Sequence, residues 1–244
     1  MIDDQELRDR AAYLGVPENQ VRRDHLLSHL IHAMRGMEGV VFIGGTALNR
    51  THLPDVRLSE DLDLHRLEGN ANDLVSHLVD AVRLEFPGLT TVSAQTRGDV
   101  ATHVLAVDQL RLQTQVIGRR AEWVKLPARS TPVRLKYPDL PETVDMVVPT
   151  PESFGAMKLV AWVDRDAPRD LFDLRELAEH GALSQESISL ARQLLGRPLV
   201  KQEFEFCPTD EQWNLELLHQ VADPGLPREA LVTVYDVLAE QLNW

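Results

Sequence analysis

The sequence predicts an α/β (α+β) protein, with a mixed-sheet core over residues 1–150 followed by a helical region over residues 151–244. Three observations carry this expectation. A short apolar run from Val40 to Ile43 leads into Gly44-Gly45-Thr46 and a helix-like Ala47-Leu48-Asn49-Arg50. A loop closed by Pro54 then returns the chain to an extended run carrying Asp61 and Asp63. Three more extended runs, at 90–94, 101–107 and 110–117, are separated only by Arg97-Gly98-Asp99 and Asp108-Gln109. Such a meander favours a mixed or antiparallel sheet over a doubly wound one. From Pro151 onward the pattern is helical.

In chain order, residues 4–14 read as a short helix ending at Gly15, with Pro17 just beyond. Asn19 is placed to cap a second helix reaching about Met37, whose apolar face holds Leu26, Leu27, Leu30, Ile31 and Met34. After the two aspartates, Asn70 or Asn72 caps a helix reaching Phe86. Leu74, Leu78 and Val82 line one side of it, and Pro87-Gly88 ends it. Beyond the meander, extended runs at 133–137 and 144–148 lie among several prolines. Helices follow at about 152–164, 168–179, 185–195, 210–221 and 228–242, with Pro151 at a first-turn position.

Composition bounds the function. A hydrophobic fraction of 43% suffices for a packed core, yet no apolar run approaches the roughly 18 residues of a membrane span. No signal peptide precedes the polar start Met1-Ile2-Asp3-Asp4, and the single cysteine, Cys207, excludes an intramolecular disulfide. Both point to a cytoplasmic protein. Cys207 reads as a buried small apolar residue. The net charge of −13 argues against general nucleic-acid affinity, though not against a local basic site. Arg119, Arg120, Lys125, Arg129, Arg134 and Lys136 share one stretch whose only acid is Glu122. It is either an RNA-facing patch, with Arg119, Arg120 and Lys125 as its candidate contacts, or a solvated loop.

The chemistry concentrates at residues 40–64. In an extended strand Asp61 and Asp63 project from the same face. Two carboxylates held together call for a cation, and hard oxygen ligands suit Mg²⁺ best. Gly44 and Gly45 let the backbone approach a ligand, and the helix start beyond them aims free N–H groups at an anion. A phosphate cradle beside a magnesium site is what handling a nucleoside triphosphate requires. A second group lies on a helix, where Lys158, Ala161, Trp162 and Arg165 sit at i, i+3, i+4 and i+7 on one face. That face either meets a triphosphate and stacks a base, or is a solvated face with a half-buried tryptophan. His25, His29 and His32 lack a Cys or carboxylate partner at zinc spacing, so a solvated or capping role is expected for them.

These blocks resemble the nucleotidyltransferase superfamily with a DNA-polymerase-β-like fold. In detail they resemble the AbiEii/AbiGii toxin family of type IV toxin–antitoxin systems, to which the MenT toxins belong. The family's GGTAL block and R-x-S-x-D-x-D are present as Gly44-Gly45-Thr46-Ala47-Leu48 and Arg57-Leu58-Ser59-Glu60-Asp61-Leu62-Asp63. Its later block, a helical Lys, an Arg about seven residues on, then Arg-Asp-x-x-Asp-Leu, matches Lys158, Arg165 and Arg169-Asp170-Leu171-Phe172-Asp173-Leu174. The resemblance covers roughly residues 19–180.

The resemblance implies a polymerase-β-like core, with the helical region forming the other wall of the cleft. Asp61, Asp63, Lys158 and Asp170 become the catalytic set, and Asp61 and Asp63 the Mg²⁺ ligands. Gly44, Gly45, Thr46, Arg57, Ser59, Lys158 and Arg165 bind the nucleotide. Asp170 orients Lys158 or the nucleotide sugar, and Asp173 is the structural partner of Arg169 or Arg175. A nucleoside monophosphate passes from an NTP to an RNA acceptor, foremost the tRNA 3′ end, blocking translation under the control of a cognate antitoxin. Ser59 shares the face of the metal ligands, so it either hydrogen-bonds a phosphate or serves as a phosphorylated control point.

One departure stands out. Relatives place a third carboxylate on a later strand, whereas residues 110–117 carry Gln113 and Gln115 on the same-face positions, and neither Asp108 nor Asp145 is a clean substitute. Two other classes therefore remain open: a small-molecule nucleotidyltransferase of the antibiotic-modifying kind, and an inactive nucleotide-binding partner.

Overall fold

Local signals set most element boundaries. The computed structural model describes residues 2–54, 56–118 and 122–244. Helix α1 (Asp4–Leu14) starts where the Asp3 carboxylate accepts from the amides of Gln5 and Glu6, and stops at left-handed Gly15 (φ 66°). Helix α2 (Glu18–Ala33) corrects the expected cap: Pro17 holds the capping position with no side-chain bond, and Asn19 lies inside the first turn. It also stops short of Met37, because the chain turns at Gly36 with φ 75°.

The sheet comprises β1 (Val40–Ile43), β2 (Asp61–Arg66), β3 (Thr90–Arg97), β4 (Val100–Val107) and β5 (Leu110–Ile117), in spatial order β1-β2-β5-β4-β3. Only β2 and β5 pair in parallel; the other neighbours are antiparallel, as the short links of the meander require. Strand alternation sorts the residues. Leu62, Leu64, Ala101, Leu105, Leu112 and Val116 are buried, while Asp61, Asp63, Gln113, Gln115, Thr102 and Val104 are only partly so. Helix α3 (Gly44–Thr51) packs on β2, and α2 and α4 (Ala71–Ala81) pack against the sheet. Asn70 caps α4, which ends well before Phe86 because Val82 already leaves helical geometry.

Strands β6 (Ala128–Arg134) and β7 (Thr143–Pro149) form a separate two-stranded sheet. The first strand expected at 133–137 lies earlier in the chain, since Lys136 takes a left-handed φ of 69° and turns it out of the strand. The turn delivers Tyr137 to α2, where its hydroxyl lies 3.0 Å from the Val21 carbonyl and 3.1 Å from the Asp24 carboxylate. Buried Arg50 on α3 binds the same carboxylate at 2.7 Å and donates to the Arg134 carbonyl. Three elements thus meet on one buried ion pair, and burial holds the Tyr137 phenol protonated far above the ordinary range.

By internal contacts the chain divides into two compact units, Met1–Val124 with Ala128–Val148, and Lys125–Pro127 with Pro149–Trp244. The second unit is helical: α5 (Pro151–Arg165), α6 (Pro168–Glu179), α7 (Gln185–Leu195), α8 (Asp210–Leu217) and α9 (Pro227–Leu242), with a short 3₁₀ turn at Lys201–Phe204. Thr150, Ser184 and Thr209 cap α5, α7 and α8. Helix α5 packs on α6 and α7, and α6 also packs on α8 and α9. Phe154, Trp162, Phe172, Trp213 and Val234 fill the interior. Gly155 permits the close approach of the α7 region: a Cβ there would sit 2.9 Å from the Ala182 carbonyl. Cys207 is half-buried rather than buried, because it lies in the irregular segment before α8. Among the described residues no helix is long and apolar enough to cross a membrane.

Candidate active site

The junction between β1 and α3 is built around two glycines, the first of which has no room for a side chain. Ile43 pairs with Asp63 across the antiparallel ladder, so the chain leaves β1 directly against that carboxylate. Gly44 has φ 78°, and a Cβ on it would lie 2.1 Å from Asp63 Oδ2 and 2.8 Å from Asp63 Cβ. A Cβ on Gly45 would meet Arg57 Nη2 at 2.8 Å and Ser59 Oγ at 3.4 Å. Gly44, Gly45, Arg57, Ser59 and Asp63 therefore converge on one backbone turn, where Asp63 leaves Gly44 no room for a Cβ.

The neighbouring side chains hold that turn. Thr46 is buried and its hydroxyl donates to the Asp61 carbonyl, tying α3 to β2. Asn49 Nδ2 donates to the Gly45 carbonyl at 2.9 Å, while its buried Oδ1 has no hydrogen-bond partner. Arg57 is buried and donates to the Leu58 carbonyl at 3.1 Å. Thr46 and Arg57 thus shape the turn from within.

Asp61 and Asp63 share one face of β2, half-buried, with Gln113 and Gln115 beside them in the parallel register of β5. Carboxamides occupy the place of a third acid. Asp108 sits at the exposed β4–β5 turn and Asp145 on β7 in the other sheet, so neither is in register with the pair. Two carboxylates on one face beside an opened backbone form a donor set suited to a hard divalent cation. Asp61 and Asp63 are the residues beside this turn that could hold such a cation.

The second group forms a cluster within the helical unit. Lys158 is buried, its Nζ 2.9 Å from Asp170 Oδ1 and 2.6 Å from Asp173 Oδ2. Arg165 Nε is 2.6 Å from Asp170 Oδ2, and both aspartates are fully enclosed. Burial pushes the Asp170 carboxyl up, but Lys158 and Arg165 outweigh it and hold the group below its ordinary value. Asp173 pairs with Lys158, not with Arg169, which meets Glu216, nor with Arg175, which binds Glu176 and the Pro224 carbonyl. Trp162 corrects both sequence readings of its face: it is fully buried, its Nε1 donating to the Glu203 carbonyl at 2.9 Å, and it offers no stacking surface.

Of the basic stretch, Arg119 and Arg120 lie outside the described residues, and Lys125 is exposed at the end of a 3₁₀ turn, Glu122–Lys125. The histidine expectation is overturned. His25 and His29 are buried rather than solvated, and Asp139 supplies the carboxylate partner they were held to lack. The i, i+4 spacing of the pair was visible in the sequence; the partner, 114 residues beyond His25, was not.

A family model described as the nucleotidyl transferase AbiEii toxin of type IV toxin–antitoxin systems matches residues 25–227. No curated protein matches the sequence. Among solved structures, the chain is similar to MenT4, a nucleotidyltransferase toxin from Mycobacterium tuberculosis H37Rv, with a TM-score of 0.73 at 17% identity over 100% of this chain and 91% of that one. It is also similar to JHP933 from Helicobacter pylori, with a TM-score of 0.59 at 18% identity over 93% and 94% of the two chains. At these identities the likeness is one of fold.

Proposed function

The chain belongs to the AbiEii family of nucleotidyltransferase toxins of type IV toxin–antitoxin systems, and from that premise we propose the acceptor and the division of labour. A nucleoside monophosphate is transferred from an NTP to an RNA acceptor, foremost the 3′ end of tRNA, and translation stops until a cognate antitoxin intervenes. Such a toxin acts in the cytoplasm. The observation that carries the reading is the bare turn at Gly44, packed so tightly on Asp63 that a methyl group has no room.

The acceptor hydroxyl oxygen attacks the α-phosphorus, the bond to the β-phosphate oxygen breaks, pyrophosphate leaves, and the hydroxyl proton passes to solvent. Mg²⁺ on Asp61 and Asp63 would supply charge neutralisation and Lewis acidity at the reacting phosphate. The backbone at Gly44 and Gly45 receives the outer phosphates, aided by the N-terminus of α3. Ser59 lies beside the same turn and offers them its hydroxyl. Within the helical unit, Arg165 presents a side chain that is 60% exposed and is the proposed phosphate-facing cation. Lys158 and Asp170 position it, since Asp170 binds both cations. In this reading residues 1–150 are the nucleotidyltransferase core, and the helical residues 151–244 carry the Lys158–Arg165–Asp170 cluster.

A second reading has a specific observation behind it. Gln113 and Gln115 beside the aspartate pair fit a protein that binds nucleotide without turning it over. One experiment separates the readings: each labelled NTP is incubated with Mg²⁺, the protein, total tRNA and a small-molecule fraction. Label on tRNA supports the proposal. Label only on small molecules moves the chain to the antibiotic-modifying class, and nucleotide binding with no labelled product supports the second reading.

A further inference from the structure

His25, His29 and Asp139 form a triangle that the nucleotidyl-transfer chemistry does not use. His25 Nε2 lies 3.0 Å from Asp139 Oδ2, His29 Nε2 lies 3.2 Å from the same oxygen, and the two nitrogens are 3.1 Å apart. The histidines occupy i and i+4 on α2, which places both rings on one helix face. Their planes stand at 88° with centroids 4.6 Å apart, so both Nε2 atoms aim at a common point instead of stacking. Asp139 reaches them from the β6–β7 loop, beyond the left-handed turn at Lys136.

With Asp139 ionised, protons on the two nitrogens cannot satisfy this triangle. A carboxylate oxygen only accepts, and each Nε2 carries either one proton or one lone pair. With protons on both nitrogens, two donors face each other at 3.1 Å. With a proton on only one, the other lone pair faces the carboxylate at 3.0 or 3.2 Å. Each of these arrangements leaves one unfavourable contact among the three atoms. A divalent cation at the centre converts all three atoms into ligands. Tetrahedral zinc, with bonds of roughly 2.0–2.1 Å, sets neighbouring ligand atoms about 3.3 Å apart, within a few tenths of what is found.

We propose that His25, His29 and Asp139 bind a first-row divalent transition ion, zinc foremost, separately from the Mg²⁺ that serves nucleotidyl transfer. The donor set, two imidazoles and one carboxylate, suits zinc and is poor for magnesium, which prefers oxygen alone. Phe86 and Tyr137 wall the rings at 4.7–5.6 Å, giving the site an apolar shell. A cavity of about 210 Å³, lined by His29, His32, Arg35 and Glu85 among others, opens beside His29 and gives the ion a way in and room for a water ligand. Bound there, the ion bolts the β6–β7 loop to α2 next to the Arg50–Asp24–Tyr137 cluster that also holds α3.

The test uses the full chain without a histidine tag, stripped by a chelator and titrated with Zn²⁺ against a competing indicator, and with Co²⁺ followed by visible absorption. We expect one ion per chain, the intense d–d bands of four-coordinate Co²⁺, and a Tm raised on the order of 5 °C at 100-fold excess over Kd. Asp139→Asn keeps the loop's shape and His29→Gln keeps a polar side chain; each should weaken binding by about 10–100-fold. An Asp61→Asn, Asp63→Asn double variant should bind zinc as the parent does. No binding by the parent chain, equal binding by the Asp139→Asn variant, or loss of zinc in the Asp61/Asp63 variant would each overturn the assignment. None of these readouts depends on nucleotidyl transfer, so the site stands or falls apart from the proposed activity.

Discussion

Two groups of aspartates carry the charge that matters in this protein, and they are treated in opposite ways. Asp170 and Asp173 lie in the helical unit fully enclosed, with Lys158 and Arg165 against them at 2.6–2.9 Å. Asp61 and Asp63 stand half-buried on one face of β2, beside carboxamides and an opened backbone. The first group has the cations that buried carboxylates need if they are to remain ionised. The second keeps two carboxylates on one face of a strand, at a position that is only half-buried.

Substitutions can break or sharpen this contrast. The largest effect is expected at the open pair: Asp61→Asn or Asp63→Asn should lower transfer by roughly 10²–10³-fold or more. Stability should hold within about 0.5 kcal/mol, or rise as repulsion is relieved. Full turnover in Mg²⁺ by either variant, in the labelled-NTP assay, would remove the pair from the chemistry.

Lys158→Met should behave in the reverse order, losing about 3–5 kcal/mol because two enclosed carboxylates then share less cation. Urea denaturation measures this. The same cluster sets an acid-side dependence. Asp170 is held below its ordinary value of 3.8, so the stability it contributes is complete above that value and is lost as pH falls through its folded-state value. Asp170→Asn should remove that part of the acid slope, and an unchanged slope would show that the ion pair contributes nothing.

Gly44→Ala tests the ground between the two. Its positive φ and the 2.1 Å approach to Asp63 predict a loss of about 1–3 kcal/mol together with weaker NTP binding. A variant that binds NTP normally in an equilibrium assay would detach the turn from the phosphates. The smallest effect concerns the basic stretch. Replacing Arg119, Arg120 and Lys125 by neutral residues should weaken RNA binding severalfold and flatten its salt dependence, with NTP affinity unchanged. Equal loss of both affinities would count against separate roles.

The region around the open pair was largely legible in the sequence because its signals are local. Strand alternation put Asp61 and Asp63 on one face, and the double glycine marked the turn. Gln113 and Gln115 foretold that no acid would stand beside them on β5. The enclosed cluster was legible only in part. Helical spacing joined Lys158, Trp162 and Arg165 on a face but could not say that α6 and α7 would pack on α5, and so Trp162 and the partner of Asp173 were misread. The His25–His29–Asp139 triangle was closed to sequence reading, because a left-handed lysine outside any glycine motif is what returns Asp139 to α2. Helix ends at Ala33, Ala81 and Leu217 fell short of their apolar patterns, which run on into turns where Met34, Val82 and Phe86 are still buried but Leu84 and Leu218 are exposed.

The burial of Trp162 and Trp213 has an optical consequence. Three of the four tryptophans, Trp162, Trp213 and Trp244, belong to the helical unit, and only Trp123 belongs to the other. Two of those three are fully enclosed, so intrinsic emission should be dominated by one unit and should shift to the red when that unit opens. In a Trp123→Phe background, fluorescence follows the helical unit alone, while far-ultraviolet circular dichroism follows both. Unfolding curves recorded by the two probes then need no added label to tell whether the two units melt together or in turn.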